Sequence, residues 1–203
     1  DEAAAKERLA APGISVPAGR VAEHQAVPAA AADVGYPITL KALGLAHKSE
    51  VGAVKVGIRN GEELAIALAA MPRTTAGYLV EATVTDVVAE VLVTVRRDPP
   101  IGWLVSLGFG GVTTELWNDV THLLAPVTTD DVKAALRTLR SAPLLTGFRG
   151  RPPADVTALA ELVVRLTDAV VGSDLVEVEL NPVLVGHHGA TAVDALMIVE
   201  DLR

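Results

Sequence analysis

Helix-period and strand-period segments alternate along this chain and are interrupted by antiparallel hairpin signals, a pattern that predicts a mixed α/β or α+β protein. Composition points the same way. Half of the 203 residues are hydrophobic but only 3% are aromatic, so the core is built from Val, Leu, Ala and Ile, which suits helices layered on sheet more than a β-sandwich. A chain of this length fits one large domain or two small lobes.

Residues 3–11 read as a short helix stopped by Pro12-Gly13, followed by an extended stretch at 14–17. Residues 26–34 form a helix closed by Gly35, and 37–43 a buried strand that carries Lys41 in an apolar context. A glycine-flanked loop at 44–52 leads to a strand at 53–58, a turn at Asn60-Gly61 and a helix from Glu62 to Met71. Residues 78–84, 89–95 and 101–107 are strand-like; the last two are joined by a turn at 96–100, and Gly108-Phe109-Gly110-Gly111 breaks the second. Thr128 or Thr129 caps a helix running to Leu139, and 155–171 is the longest helix. The expected division is a lead-in segment at 1–20, a small lobe at 21–78 and a large lobe at 79–203, with no internal repeat.

A formal charge of −8 argues against nucleic-acid binding through a broad basic surface. No apolar run is long enough for a membrane span and the first twenty residues lack a signal-peptide core, so no membrane role is expected and the cytosol is the expected compartment. With no cysteine there is neither a disulfide framework nor a thiolate site.

The densest chemistry lies at the C-terminal end. Strands at 176–185 and 190–199 flank a Gly186-His187-His188-Gly189 turn. Pairing 185 with 190 puts Asn181 opposite Asp194, on one face with Glu177 and Glu179, while Val176, Val178 and Leu180 point into a core. Hard oxygen donors of this kind suit Mg²⁺, which implies a nucleotide partner; an acidic, solvated hairpin face is the other reading of the same residues. His47, in the polar loop His47-Lys48-Ser49-Glu50-Val51-Gly52, is either a nucleophile toward phosphorus or a solvated loop histidine. Gly110 and Gly111 can present backbone N–H groups to phosphate or simply terminate a strand. Glu81 and Glu90 are acceptor-only groups suited to a ribose or base, or else exposed strand-edge residues. Arg149 and Arg151 lie in a loop that can reach phosphates, or else is solvated at one or both positions. His187 and His188 are turn residues, because adjacent side chains at a turn tip diverge, and His24 and His122 receive no role.

Taken in order, Val34-Gly35-Tyr36-Pro37 with Lys41, the His47 to Gly52 loop, Arg97-Asp98-Pro99, Gly108 to Gly111, Leu124-Ala125-Pro126, Gly150-Arg151-Pro152-Pro153-Ala154-Asp155 and Glu179-Leu180-Asn181-Pro182 resemble the ATP-grasp part of the nucleotide-diphosphate-forming acyl-CoA synthetases, relatives of the succinyl-CoA synthetase β subunit. The resemblance covers nearly the whole chain. It implies a two-lobed ATP-grasp fold with mixed and antiparallel sheets, ATP or ADP and Mg²⁺ as cofactors, and interconversion of acyl-CoA, ADP and phosphate with acid, CoA and ATP through phosphohistidine. By the same matching, His47 is the phosphoryl acceptor, Glu179 supports the phosphohistidine, Lys41 contacts nucleotide phosphates, Glu81 lies at the adenine hinge, Glu90 reaches the ribose, Gly110 and Gly111 belong to the nucleotide loop, and Asn181 and Asp194 hold the metal. The implied partner is a CoA-binding and ligase portion, as a separate subunit or a fused domain, beside the small-molecule acid and the nucleotide.

The departures are specific. Lys41 and His47 stand about two residues closer than in the commoner pattern, Leu123 stands where an arginine is expected, and Leu196 replaces the arginine of a Val-Asp-Ala-Arg ending, opposite Glu179. Those lost arginines keep a second reading open, a non-catalytic regulatory ATP-grasp-like module fused to a domain such as an acetyltransferase. A carboxylate–amine ligase of the same fold has no use for a loop histidine.

Overall fold

The computed structural model describes residues 1–45, 52–110 and 119–200, so His47 and Gly111 lie outside the described residues. Two compact units emerge: Asp1–Ala4 with Pro17–Thr85, and Ala5–Val16 with Asp86–Arg203. The chain passes finally from one to the other between Thr85 and Asp86, later than the expected 78/79, and residues 1–20 are shared between the units instead of standing apart. Hydrogen bonding explains the shift, because the strand at Tyr78–Ala82 is paired on both sides inside the first sheet.

The first unit holds β1 (Gly19–Ala22), α2 (Val27–Val34), β2 (Ile38–Ala42), β3 (Val54–Ile58), α3 (Gly61–Ala70) and β4 (Tyr78–Ala82), after the first turn of α1 (Glu2–Ala10). Its sheet runs β1-β4-β2-β3 with every pairing antiparallel. The 37–43 segment forms the inner strand β2, buried at all five positions. Alanine-rich α2 starts with proline in its first turn and stops at Gly35, whose φ of 86° is open to glycine at no steric cost. Asn60, read from sequence as part of a turn, is the N-cap of α3: its side-chain oxygen accepts the Glu62 and Glu63 N–H groups at 3.1 and 2.9 Å. Val27, Ile38, Leu40, Leu64, Tyr78 and Val80 close this core.

The second unit contains β5 (Ala89–Asp98), β6 (Gly102–Phe109), β7 (Val120–Leu124), α4 (Thr129–Thr138), α5 (Ala142–Thr146), α6 (Val156–Val170), β8 (Leu175–Val185), β9 (Ala190–Ala192) and β10 (Ala195–Val199). The sheet runs β10-β8-β5-β6-β7, with β9 also paired to β8. Two sequence expectations are corrected here. Arg96, Arg97 and Asp98 continue β5 instead of turning, and Gly108 and Phe109 continue β6 because Gly108 pairs with Leu92 on one side and Val120 on the other. Among the described residues, β1, β7 and α5 have no counterpart in the sequence reading. One face of the sheet is the core, where Val91, Val93, Val95, Val105, Leu107, Val178 and Leu180 are fully buried against α4 and α6 residues such as Val132, Leu159 and Val163.

The C-terminal hairpin has the register expected from its loop. Val185 pairs with Ala190, Leu180 with Ala195 and Glu179 with Leu196, and the Asn181 N–H donates to the Asp194 carbonyl at 3.2 Å. Two aspartates clamp its turn. Asp86 accepts the His187 and His188 N–H groups at 2.9 and 3.2 Å and pairs with His187 Nδ1 at 2.6 Å. Asp155, the N-cap of α6, accepts the Ala158 N–H at 2.9 Å and the Gly189 N–H at 3.0 Å. The His187 side chain and backbone lead the causes that hold the Asp86 carboxyl below its usual range, and the Ala158 and Gly189 N–H groups do the same for Asp155.

A carboxyl depressed by folding contributes stability above the unfolded carboxylate range, about 4, and loses it as pH falls through the lowered folded value. Asp155→Ala is therefore expected to cost ~1 kcal/mol near neutral pH as a lost helix cap. Thermal melts should show the Tm gap to wild type narrowing as the pH is lowered below about 4; an equal gap at neutral and acid pH contradicts the assignment.

Candidate functional site

On β2 of the first unit, Ile38, Leu40 and Ala42 pack with the helices, and the alternate positions Thr39 and Lys41 take the opposite face. Thr39 pairs with Glu81 and Lys41 with Leu79, so Thr39, Lys41 and Glu81 share that face. The Lys41 ammonium lies 3.2 Å from a Glu81 carboxylate oxygen and 2.6 Å from one of Glu2, and the side chains of all three are almost wholly buried. Glu81 is thus an interior partner of Lys41, not an exposed strand-edge residue. Room for it comes from Gly19 on β1, where an added Cβ would stand 2.7 Å from the Val80 carbonyl and 2.8 Å from the Glu81 side chain.

In the second unit the sheet face away from the core carries the remaining candidates. Register aligns a single row across five strands: Leu196, Glu179, Thr94, Ser106 and His122. Ser106 Oγ and His122 Nδ1 are 3.0 Å apart. Asn181, exposed beside this row, donates its amide to Glu179 at 3.2 Å, which leaves the amide oxygen as an acceptor. Asp194 lies opposite Asn181 on the neighbouring segment and takes the Ala195 N–H at 2.9 Å. Pairing between β5 and β8 slips by one residue at this point, so that Asn181 and Pro182 together face Leu92, a bulge that re-aims the chain beside the carboxylates.

Glu90 is exposed on β5, and the Gly110 N–H donates to its carbonyl at 2.7 Å. Glycine is required at 110 by close approach, since a Cβ there would lie 3.1 Å from the Glu90 Cβ. The Gly110 N–H is thus engaged by the Glu90 backbone carbonyl. Arg149 stacks over the Phe148 ring at 5.3 Å in an exposed loop. Among the described residues no three His, Cys, Asp or Glu side chains are grouped to hold a metal ion by themselves. The donors at the hairpin are one carboxylate and one amide oxygen with Glu179 alongside, a sparse oxygen set that fits Mg²⁺ completed by water and phosphate and does not fit a closed protein cage.

Sequence reasoning missed Glu2, Gly19, Asp86 and the Thr94-Ser106-His122 part of the row. The Glu2-to-Lys41 pairing spans 39 positions and only folding reveals it. Asp86 carried no motif.

A family model described as the ATP-grasp domain matches residues 1–199. The β subunit of ADP-forming acetate–CoA ligase I from Pyrococcus furiosus is 34% identical, the match covering 98% of this chain and 90% of that subunit. A trans-feruloyl-CoA synthase from an unknown prokaryotic organism is 37% identical over 97% of this chain, which spans only 30% of that protein. Among solved structures, the dinucleotide forming acetyl-coenzyme A synthetase 1 of Ca. Korarchaeum cryptofilum, in complex with coenzyme A, Ca-AMPCP and HgCl+, superposes with a TM-score of 0.90 at 31% identity, covering 98% of this chain and 92% of that one. A second complex of that protein, with coenzyme A and Mg-AMPPCP, has its phosphohistidine segment pointing towards the nucleotide binding site and gives a TM-score of 0.84.

Crowding at Gly19 gives a direct test of the β1–β4 packing. Gly19→Ala is expected to lose ~1–3 kcal/mol by overpacking against backbone, whereas Gly61→Ala, whose Cβ would meet nothing closer than the Tyr36 hydroxyl at 3.9 Å, keeps wild-type stability or better. Chemical denaturation of the two variants makes the comparison, and equal stabilities contradict the packing described.

Proposed function

The chain belongs to the ATP-grasp domain family, and on that premise we propose that it is the nucleotide-binding portion of an ADP-forming acyl-CoA synthetase, which converts acyl-CoA, ADP and phosphate to acid, CoA and ATP. The observation that carries the reading is Lys41, a lysine with no apolar reason to occupy an inner strand, whose ammonium is held at a defined place by two carboxylates. A fixed point charge of this kind receives a phosphate oxygen. Asn181 and Asp194 are the proposed Mg²⁺ ligands, and the ion when bound supplies charge neutralisation at the phosphates. Glu90, whose backbone carbonyl accepts the Gly110 N–H, is the proposed ribose acceptor, and Glu81 the residue at the adenine hinge.

Phosphoryl transfer runs through histidine. In the ATP-consuming direction the neutral imidazole of His47 is the proposed acceptor: its nitrogen lone pair attacks the γ-phosphorus, the bond to the nucleoside diphosphate breaks and ADP leaves; in the ATP-forming direction the same group passes from His47 to ADP. Glu179 is the proposed carboxylate partner of phosphohistidine, oriented by Asn181. Leu196 is its cross-strand neighbour on β10, so the charge opposite that acid comes from elsewhere. Thioester chemistry belongs to a CoA-binding partner, consistent with the subunit status of the Pyrococcus furiosus relative. The regulatory alternative has no observation in its favour beyond Leu123 and Leu196, and the relatives reported above are named as ligases or synthases.

Incubation with γ-labelled ATP and Mg²⁺, with the CoA-binding portion supplied, tests the transfer step. Acid-labile label is expected on the wild-type chain and at least tenfold less on His47→Ala, the loss typical of removing a covalent participant. Equal labelling of the two contradicts the role given to His47.

A further inference from the structure

The buried cluster around Lys41 contains a second carboxylate, Glu2, beside Glu81. Glu2 approaches from the first turn of α1 and stands closer to the ammonium than Glu81 does, 2.6 against 3.2 Å. Nothing local brings it there, since 39 residues separate it from Lys41. Its own placement is prepared: Asp1 Oδ1 accepts the Ala4 N–H at 2.9 Å and caps the helix, and an acidic side chain in the first turn is favoured by the helix dipole.

Two ion pairs among the described residues make the contrast. Arg59–Glu63 and Arg165–Glu161 are i, i+4 surface pairs, of the kind that contribute little to stability. The Lys41 cluster is interior, where ionic groups are as a rule no more stabilising than apolar residues of the same volume. Stability alone therefore gives no reason to keep Glu2, Lys41 and Glu81 charged and buried together. Placement does: a lysine ammonium sits on a flexible four-carbon stem, and carboxylates arriving from two elements hold the nitrogen at one point.

We propose that Glu2 is a positioning residue, which holds the Lys41 ammonium where it meets the nucleotide phosphates. The proposal rests on the reading of Lys41 as the phosphate contact. Glu2 itself touches no substrate. Its effect passes through Lys41, so it should vanish when the ammonium is gone.

The experiment is a double-mutant cycle read by calorimetric titration with MgATP, with thermal melts recorded on each variant. Glu2→Gln keeps the size and an acceptor oxygen but removes the charge, and is expected to weaken MgATP binding about tenfold, the scale of one charge-assisted hydrogen bond. Lys41→Met should weaken it more, and the double variant should bind no worse than Lys41→Met alone. Asp1→Ala leaves all three charges in place while loosening α1, and should give a smaller loss that also disappears in the Lys41→Met background. It serves in place of Glu2→Gln should that variant fail to fold. A merely structural role for Glu2 would lower Tm and leave affinity unchanged, or add its loss to that of Lys41→Met; either result overturns the proposal, as does tighter binding by Glu2→Gln. Wild-type affinity in Lys41→Met would remove the parent reading of Lys41 and this inference with it.

Discussion

The register of β8 is the constraint from which most of the second unit follows. This eleven-residue strand pairs with β5 on one side and with β9 and β10 on the other, so its alignment decides which side chains enter the core and which reach the open face. A one-residue slip would exchange Val178 and Leu180 with Glu177 and Glu179, placing carboxylates in an apolar interior. That exchange is prohibitive, because an unpaired buried charge costs far more than an exposed valine. The apolar positions thus fix the polar ones. Asp86 and Asp155 hold the connecting turn at its two ends through backbone N–H groups, which pins the same register from the loop side.

In the first unit the organising interaction is electrostatic. Lys41 sits on an inner strand where burial alone would expel it, and the Glu2 and Glu81 carboxylates compensate its charge. Glycine at 19 is part of the same arrangement, since only a residue without a Cβ leaves room for the Glu81 side chain. Charge held in place before a ligand arrives needs no reorganisation when phosphate binds. The two halves of the proposed chemistry are therefore built by different means, a carboxylate cradle for Lys41 and strand register for Glu179, Asn181 and Asp194.

Much of this was readable in the linear chain. Loop length alone placed Asn181 opposite Asp194, because a four-residue turn between two apolar strands fixes pairing by arithmetic, and the pairings of Val185 with Ala190 and Glu179 with Leu196 follow it. Helix ends were equally legible, since Asp155 and Thr128 carry their capping function in their own side chains. What failed to show is what depends on distant partners. Gly108 reads as a strand breaker in the sequence, but Leu92 and Val120 flank it in the sheet, and the bond from the Gly110 N–H to the Glu90 carbonyl has no sequence signal. Glu2 was an ordinary acidic residue of a short helix, and Glu81 a strand-end carboxylate, until the fold brought both to Lys41. The boundary at Thr85 was missed for a similar reason, because the membership of β4 is settled by β1 and β2 and not by its own sequence.

The proposed chemistry requires that this chain bind a nucleoside diphosphate or triphosphate together with Mg²⁺, with Asn181 and Asp194 as the proposed metal ligands. Isothermal titration of the wild-type chain and of Asp194→Ala with ADP and with ATP, each in Mg²⁺ and in excess chelator, measures it most directly. The account predicts saturable binding by the wild type that weakens at least tenfold, about 1.4 kcal/mol, when the metal is removed, and a variant that binds weakly and no longer responds to Mg²⁺. Binding that is indifferent to Mg²⁺ in both proteins, or no binding by the wild type, would contradict it.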